Sequence, residues 1–287
     1  MPRGILNVTG PQALAAFPTT YLPDNGVPVV LAKGRAFEIG FDGDFAGVRD
    51  ATRALNPGLD INVVPADKRR KKLLVADMDS TIIGCECLDE LADMAGLKPQ
   101  IAAITERAMK GEIEFEAALR QRVAMLKGLP LAALERTYHE RVRLNPGAKE
   151  LVATMKAHGA RTLLVSGGFT YFTSRVAKEA GFDEHQANIL LDDGKVLTGE
   201  VAEPILGRAA KLAALEYDVK KLGIDFADTL AVGDGANDLA MIARAGLGVA
   251  YHAKPIVAEA AAARIDHSDL TALLYLQGYR DDEIVLK

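Results

Sequence analysis

The sequence predicts an α/β protein: a doubly wound parallel sheet, a block of helices inserted after its first strand, and a small α+β unit ahead of both. Three observations carry this. From Gly147 onward, short apolar runs alternate with helical stretches, the pattern of a parallel sheet with helices on its faces. Between the apolar run Leu73-Leu74-Val75-Ala76 and Gly147 stand four amphipathic segments with no strand among them, which a simple alternating sheet cannot place. The residues up to about 70 read as β-α-β-β-α-β and are set off by the basic run Lys68-Arg69-Arg70-Lys71-Lys72, expected to be a solvated linker.

In chain order, Ile5 to Val8 reads as a strand and Pro11 to Phe17 as a short helix. Val27 to Ala32 and Ala36 to Phe41 read as strands turning at Lys33-Gly34-Arg35, and Phe45 to Leu55 as a helix stopped before Asn56-Pro57-Gly58. Ile61 to Val64 is a last strand. This order resembles a ferredoxin-like, amino-acid-sensing (ACT-like) module. It carries no chemical motif, so residues 1–70 are expected to be a docking or dimerising unit that allows a homodimer. Residues 71–287 form the second unit.

Leu73 to Ala76 is an unbroken apolar run, as in a strand buried on both faces. Helices are expected over Leu88–Met94, Pro99–Met109, Glu114–Leu126 and Leu131–Val142, punctuated by Gly96, Gly111, Gly128 and Asn145-Pro146-Gly147. They form an inserted cap over about 84–146. Beyond it come a helix from Ala148 to Ala157, a strand Thr162–Val165, a loop Ser166-Gly167-Gly168 and a helix from Tyr171 to Ala180. A hairpin follows, with Ile189–Leu191 and Val196–Val201 around Asp192-Asp193-Gly194-Lys195. The helix Ala209–Leu222, the strand Thr229–Val232, the helix Leu239–Ala245 and the strand Gly248–Tyr251 complete the alternation.

Composition narrows the function. With 287 residues, 49% of them hydrophobic, the chain can bury a sizeable core. The formal net charge of -5 and dispersed Lys and Arg give no reason to expect a nucleic-acid partner. No apolar run is long enough to span a membrane and no secretory pattern opens the chain, so a cytoplasmic protein without membrane partners is expected. Cys85 and Cys87, two positions apart, match no usual zinc or redox spacing and read as reduced thiols.

Three strand ends carry the candidate chemistry: Asp77-Met78-Asp79-Ser80-Thr81, Ser166-Gly167-Gly168 and Gly233-Asp234-Gly235. Asp and Ser are also ordinary turn residues, so one such stretch alone distinguishes a site from a turn only weakly. In a parallel sheet, however, all three emerge at one edge, where open α/β sheets bind ligands. Asp77, Asp79, Ser166 and Asp234 can then converge. Clustered carboxylates repel one another and call for a cation, and Mg²⁺ suits hard oxygen donors that face a phosphate. The glycines at 167, 168 and 235 let backbone N–H groups approach an oxyanion. A lysine near a helix start, Lys211, is a further candidate, but spacing alone does not select it over Arg208 or Lys195.

Asp77-Met78-Asp79-Ser80-Thr81, Ser166-Gly167-Gly168-Phe169, Lys211 and Gly233-Asp234-Gly235-Ala236-Asn237-Asp238 resemble, in order, the four motifs of the haloacid dehalogenase (HAD) superfamily. Cys85-Glu86-Cys87-Leu88-Asp89-Glu90, Ile104 to Met109 and Phe115 to Val123 are similar to the phosphoserine phosphatases within it. The resemblance runs from about residue 72 to the carboxyl terminus. Met78 stands where an aromatic residue is commoner, with its side chain expected to point away from the site. The resemblance implies a HAD-like fold and hydrolysis of O-phospho-L-serine, the last step of serine biosynthesis, with Asp77 as nucleophile and Asp79 as acid and base. It also implies Mg²⁺ on the carboxylates of Asp77 and Asp234 and the Asp79 carbonyl. Ser166, Gly167, Lys211 and Asn237 would hold the phosphate, with Asp238 orienting Lys211. Glu86 and Arg122 would read the amino acid and Phe115 would exclude water; Arg120 reads as a surface residue, and Glu106 and Arg107 as structural. A related small-molecule phosphatase or phosphotransferase, and a phosphorylated receiver-like domain, are the rival readings. An intact Asp79 and a large cap argue against the receiver.

Overall fold

Alternation of apolar residues sets up the first sheet. In the computed structural model, which describes residues 3–17, 27–109 and 112–286, this unit comprises β1 (Gly4–Thr9), α1 (Ala13–Ala16), β2 (Val29–Ala32), β3 (Ala36–Phe41), α2 (Phe45–Leu55) and β4 (Asp60–Pro65). The antiparallel sheet has the order β2-β3-β1-β4, the ferredoxin-like arrangement. Leu6, Val8, Phe37, Ile39 and Ile61 make its small core with Ala13, Phe17 and Phe45. Asp44 starts α2 by accepting hydrogen bonds from the N–H groups of Ala46 and Gly47. Gly111, expected to punctuate the cap, lies outside the described residues.

The second unit opens with β5 (Leu73–Ala76), fully buried as its unbroken apolar run requires. A single distorted turn, Met78–Ile82, leads into α3 (Cys87–Met94), α4 (Lys98–Met109), α5 (Phe115–Ala124) and α6 (Leu131–Arg141), the inserted cap. Then follow α7 (Ala148–Ala157), β6 (Arg161–Phe169), α8 (Thr170–Ala180), β7 (Glu184–Asn188), β8 (Leu190–Asp192), β9 (Leu197–Val201), α9 (Arg208–Leu222), β10 (Thr229–Gly233), α10 (Leu239–Arg244), β11 (Leu247–Tyr251), α11 (Pro255–Ala260), β12 (Ala263–Ile265) and α12 (Ala272–Leu276). Six strands form a parallel sheet in the order β12-β11-β10-β5-β6-β7. The three strands that end in candidate residues, β10, β5 and β6, are therefore neighbours. The β8–β9 hairpin is a separate two-stranded sheet seated on the cap, through Gly128 N–H to Leu197 O at 2.8 Å and Leu131 N–H to Lys195 O at 3.0 Å.

Three features depart from the sequence reading. The expected loop Ser166-Gly167-Gly168 is instead the irregular end of β6, because Phe169 re-pairs with Asn188 after a register shift beyond Val165. Its partner β7 has no apolar run to announce it, since an edge strand of Glu, His, Gln and Asn needs little burial. The basic run is not a solvated linker. Lys71 is only 8% exposed, and its Nζ donates to the carbonyls of Lys68 and Ala227 at 2.7 Å. Arg69 pairs with Glu38 at 2.6 Å and also donates to Tyr275 O and Leu276 O at the end of α12. Acceptors from both units thus tie the segment down. Among the described residues no helix is long and apolar enough to cross a membrane.

Candidate active site

Neighbouring parallel strands deliver their carboxyl-terminal residues to one edge. Asp77 follows β5, Ser166 lies at the end of β6, and Asp234 follows β10. Lys211 comes in from the second turn of α9, where it is 3% exposed. Its Nζ lies 2.6 Å from Asp77 Oδ1 and 2.6 Å from Asp238 Oδ1. Asp238 is fully buried, and its other oxygen accepts the Gly235 N–H at 3.0 Å. With both oxygens taken, Asp238 is committed to holding Lys211 and the Gly233–Asp238 turn. Asn237 bends its side-chain oxygen over Gly235, where a Cβ would collide with it.

Asp77 Oδ1 also accepts the Met78 N–H at 2.7 Å, leaving Oδ2 without a hydrogen bond among the described residues. Asp79 is held at both ends: Oδ1 by the Cys87 N–H at 2.9 Å and Oδ2 by the Ser166 hydroxyl at 2.9 Å. Ser166 Oγ in turn accepts the Gly168 N–H at 2.8 Å. A Cβ on Gly168 would lie 3.0 Å from both Asp79 Oδ2 and Ser166 Oγ, so only glycine leaves this corner open. The turn that carries these groups is strained. Ser80 has φ 54°, unusual for a side-chain-bearing residue. Its N–H donates to Cys85 O at 3.2 Å and its hydroxyl to Glu86 Oε1 at 2.7 Å, which hold the conformation. Met78 is fully buried in the main core, but its Cε lies 3.8 Å from where a Cβ on Gly168 would sit, the corner shared by Asp79 and Ser166, so its side chain does not point away from the site as expected.

The electrostatics follow from crowding. Burial, then the charge of Asp238, raises the Asp77 carboxyl far above its ordinary pKa, against the opposing pull of Lys211. Burial also raises Asp79, and burial with Asp238 raises Asp234. Burial works against the Lys211 charge, but Asp77 and Asp238 outweigh it and hold the ammonium above the usual lysine range. The oxygens of Asp77, Asp234 and Asp238 approach within 4.8 Å of one another. Three carboxylates and one lysine leave a net negative, oxygen-lined cluster, which fits a hard divalent cation. Lys211 and the Gly235 N–H each engage one oxygen of Asp238, whereas Asp77 Oδ2 has no hydrogen bond among the described residues.

The cap supplies the remaining candidates. Phe115, first residue of α5, lies against Gly167, with its ring 3.4 Å from where a Cβ there would sit. Arg122, in the last turn of α5, donates to Ala118 O at 3.3 Å and to Thr105 Oγ1 at 3.4 Å. No ion pair engages it among the described residues. Burial lowers its pKa, while the nearby charges of Asp89 and Glu86 oppose that. The Glu86 residue is exposed as a whole, yet desolvation of its carboxyl, then the charge of Asp79, pushes it up to about 7. Arg120 pairs with Glu203 at 2.6 Å on the surface. A cavity of about 420 Å³ between α6, α8 and the hairpin, lined by Leu134, Tyr171, His185 and Leu190, contains none of these groups. The carboxylate and lysine geometry, not the open space, locates the chemistry.

The structure thus gathers Asp77, Asp79, Ser166, Lys211, Asp234 and Asp238 directly, with Gly167, Asn237, Glu86, Phe115 and Arg122 around them. Sequence reasoning missed Thr81, whose hydroxyl reaches Asp234 Oδ1 at 3.4 Å, although it sits inside the first motif. It also missed the Cys87 N–H and Thr105. A backbone donor leaves no mark in residue identity, and one helical threonine looks like any other.

Comparison with known proteins gives a consistent picture. The haloacid dehalogenase-like hydrolase family matches residues 74–243. A phosphoserine phosphatase of Polaromonas sp. (strain JS666) is 47% identical over 229 residues, covering 77% of this chain and 97% of its own. A HAD family hydrolase from Salmonella enterica serovar Typhi superposes with a TM-score of 0.87 at 31% identity, covering 95% of this chain and 97% of its own. A structure described as a phospho-aspartyl intermediate analogue of phosphoserine phosphatase has a TM-score of 0.66 at 41% identity, covering 72% of this chain and 98% of its own.

Proposed function

The chain belongs to the haloacid dehalogenase-like hydrolases, in their phosphoserine phosphatase branch, and from that membership we propose how its residues hydrolyse O-phospho-L-serine to L-serine and phosphate. Asp77 is the nucleophile. With Oδ1 held by Met78 N–H and Lys211, Oδ2 is the oxygen that attacks phosphorus and carries the phosphoryl group. Lys211, kept charged by Asp77 and Asp238, spreads the negative charge that develops as a carboxylate meets a phosphate. Asp79, whose pKa burial raises, gives a proton to the departing serine oxygen, then takes one from the water that cleaves the aspartyl phosphate. Ser166 releases Asp79 to hold a phosphate oxygen beside the Gly167 N–H, and Asn237 steadies the phosphate end.

We propose Mg²⁺ as the cation, held by the carboxylates of Asp77 and Asp234 and the backbone carbonyl of Asp79. When bound it offsets the repulsion between nucleophile and phosphate dianion. Arg122, half-buried and without an ion pair among the described residues, offers its fork to the substrate carboxylate. Glu86 takes the ammonium, and Phe115 closes the phosphate end against water. We read residues 1–70 as a domain apart from the chemistry of 71–287, with a surface for a second copy. The two free thiols suit the cytoplasm.

The observation that carries the reading is Lys211 shared at 2.6 Å between Asp77 and Asp238, at the edge where Asp79 and Ser166 meet. The test is phosphate release from O-phospho-L-serine, with Mg²⁺ and with EDTA, beside a panel of other phosphoesters. Mg²⁺-dependent turnover that favours phosphoserine is expected. Equal turnover of the whole panel, or turnover unaffected by EDTA, overturns the substrate or the metal respectively.

A further inference from the structure

Asn188 lies behind the site, at the end of the edge strand β7, and is 2% exposed. Its carboxamide uses both ends. Nδ2 donates to Gly167 O at 2.9 Å and to Leu206 O at 3.3 Å, while Oδ1 accepts the Leu206 N–H at 2.7 Å. One side chain thus joins the irregular end of β6 to the segment that feeds α9. Two observations make this more than a core hydrogen bond. Gly167 and Gly207 both pack against Phe115, so the pieces that Asn188 links from behind are the pieces the cap closes on from the front. And the peptide it grips, Gly167–Gly168, is the one whose N–H holds Ser166 Oγ in place beside Asp79.

Resting on the function proposed above, we infer that Asn188 is a positioning residue, which fixes the separation between the Ser166–Gly168 phosphate loop and the helix that carries Lys211. Neither glycine-rich segment is rigid by itself. Gly167 and Gly168 have no side chains to lock their peptides, and Gly207, at the start of α9, has none either. An amide satisfies one donor and two acceptors here, and no other side chain of its shape offers a donor and an acceptor together. A carboxylate at 188 would keep the bond from the Leu206 N–H but set a second oxygen against the carbonyls of Gly167 and Leu206. The two segments would then separate, and a displacement of about 1 Å in a positioning group costs on the order of 10²-fold in rate.

The test compares Asn188→Asp and Asn188→Ser with wild type, at a temperature well below the Tm of each. kcat for phosphoserine and the binding of inorganic phosphate by calorimetry are the readouts, with competition by L-serine as the control. Asn188→Asp is expected to lower kcat about 10²-fold and weaken phosphate binding about tenfold or more, while inhibition by L-serine, read by the cap, stays within twofold. Asn188→Ser, which keeps one bond, should fall between. Folded variants with kcat and phosphate binding within twofold of wild type overturn the inference, as does failure of both variants to fold, which would make Asn188 a structural staple only. Absence of phosphoserine turnover in the wild type would instead overturn the proposed substrate, and the phosphate titration would still decide the role of Asn188.

Discussion

Replacing Lys211 by Met tests the electrostatic core of the site. Methionine keeps a long apolar stem in a position that is 3% exposed, but it removes two charged hydrogen bonds of 2.6 Å. Hydrogen bonds to charged groups are worth about 1.5–3 kcal/mol each, and stripping one partner from a buried ion pair costs about 3–5 kcal/mol. The two routes agree on a loss of roughly 3–5 kcal/mol at pH 8 in EDTA. The sign of the pH dependence follows from the carboxylates left behind. Burial and mutual repulsion already raise Asp77 and Asp234 above their unfolded values, and losing the lysine raises Asp77 further. The folded state then binds protons that the unfolded state has released, so stability falls as pH rises, and the deficit shrinks toward pH 5. Added Mg²⁺ should restore more stability to the variant than to wild type. Urea unfolding followed by circular dichroism at pH 5 and pH 8, with EDTA or Mg²⁺, reads all of this. Phosphate release should fall about 10²–10³-fold. A variant within about 1 kcal/mol of wild type at pH 8 in EDTA, below the smallest single charged bond, would refute the argument. So would a deficit that grows as pH falls.

Asp79→Asn keeps acceptor and shape but no acid–base function, and should slow turnover about 10²–10⁴-fold; a loss of only a few-fold in steady-state assays would assign the proton work elsewhere. Because burial and Asp79 push the Glu86 carboxyl up to about 7, and it must be ionised to hold an ammonium, KM for phosphoserine should rise as pH falls through about 7. Glu86→Gln should flatten that rise relative to an alkyl phosphate without an ammonium, whose own phosphate titration serves as reference. Arg122→Ala should lower kcat/KM for phosphoserine about tenfold to hundredfold, the worth of a charged hydrogen-bond partner, and leave an aryl phosphate nearly unaffected; an unchanged ratio of the two substrates would remove Arg122 as the carboxylate reader. Shortening the chain to residues 69–287 should leave kcat within a few-fold of the full chain but lower Tm markedly by calorimetry, since no gathered site residue precedes position 77.

What the sequence discloses is what local chemistry enforces. Leu73 to Ala76 reads as a buried strand from its apolar run alone, and Asp77 and Asp79 at its end become a site only together with the other strand ends; Asp77 meets Lys211, and Asp79 meets the Cys87 N–H and Ser166. Parallel alternation brings the ends of β10, β5 and β6 to one edge, and the strand order places the three side by side. The helical periods of α3 to α6 likewise announced an insertion. Lys211 was different: its helix was plain, but only resemblance separated it from Arg208 or Lys195, because its distinction is to reach two aspartates from other strands. Contacts that depend on backbone atoms were invisible. The Cys87 N–H on Asp79, the left-handed Ser80 and the polar strand β7 exist because of tertiary neighbours, and no spacing rule encodes them.

The amino-terminal unit illustrates the same division on a larger scale. Its sheet was legible from alternation, but its attachment was not: Ile5 and Val64 pack into the core of the second unit, Leu31, Ala32 and Ala36 pack on Tyr275, and polar side chains bond to backbone across the junction. β12 is the outer strand of the six-stranded sheet and would present unpaired backbone groups. Asn62 of β4 takes the place of a further strand: its Nδ2 donates to Arg264 O at 2.9 Å, and its Oδ1 accepts the Arg264 N–H at 2.8 Å. Just beyond, the 2%-exposed Asp60 accepts the N–H groups of Asp266, His267 and Ser268, the nearest at 2.6 Å. From that edge the bonds continue inward. His252 N–H pairs with Ile265 O at 2.8 Å, and Lys254 N–H, two residues on, donates to the carbonyl of Asp234 at 3.1 Å. The unit therefore supplies no reacting group, yet it closes the open edge of the sheet whose other strands carry the chemistry. A buried Asn and Asp in a strand otherwise rich in β-branched residues look like defects in isolation. Placed against β12, they are the hydrogen-bonding partners that the edge strand lacks.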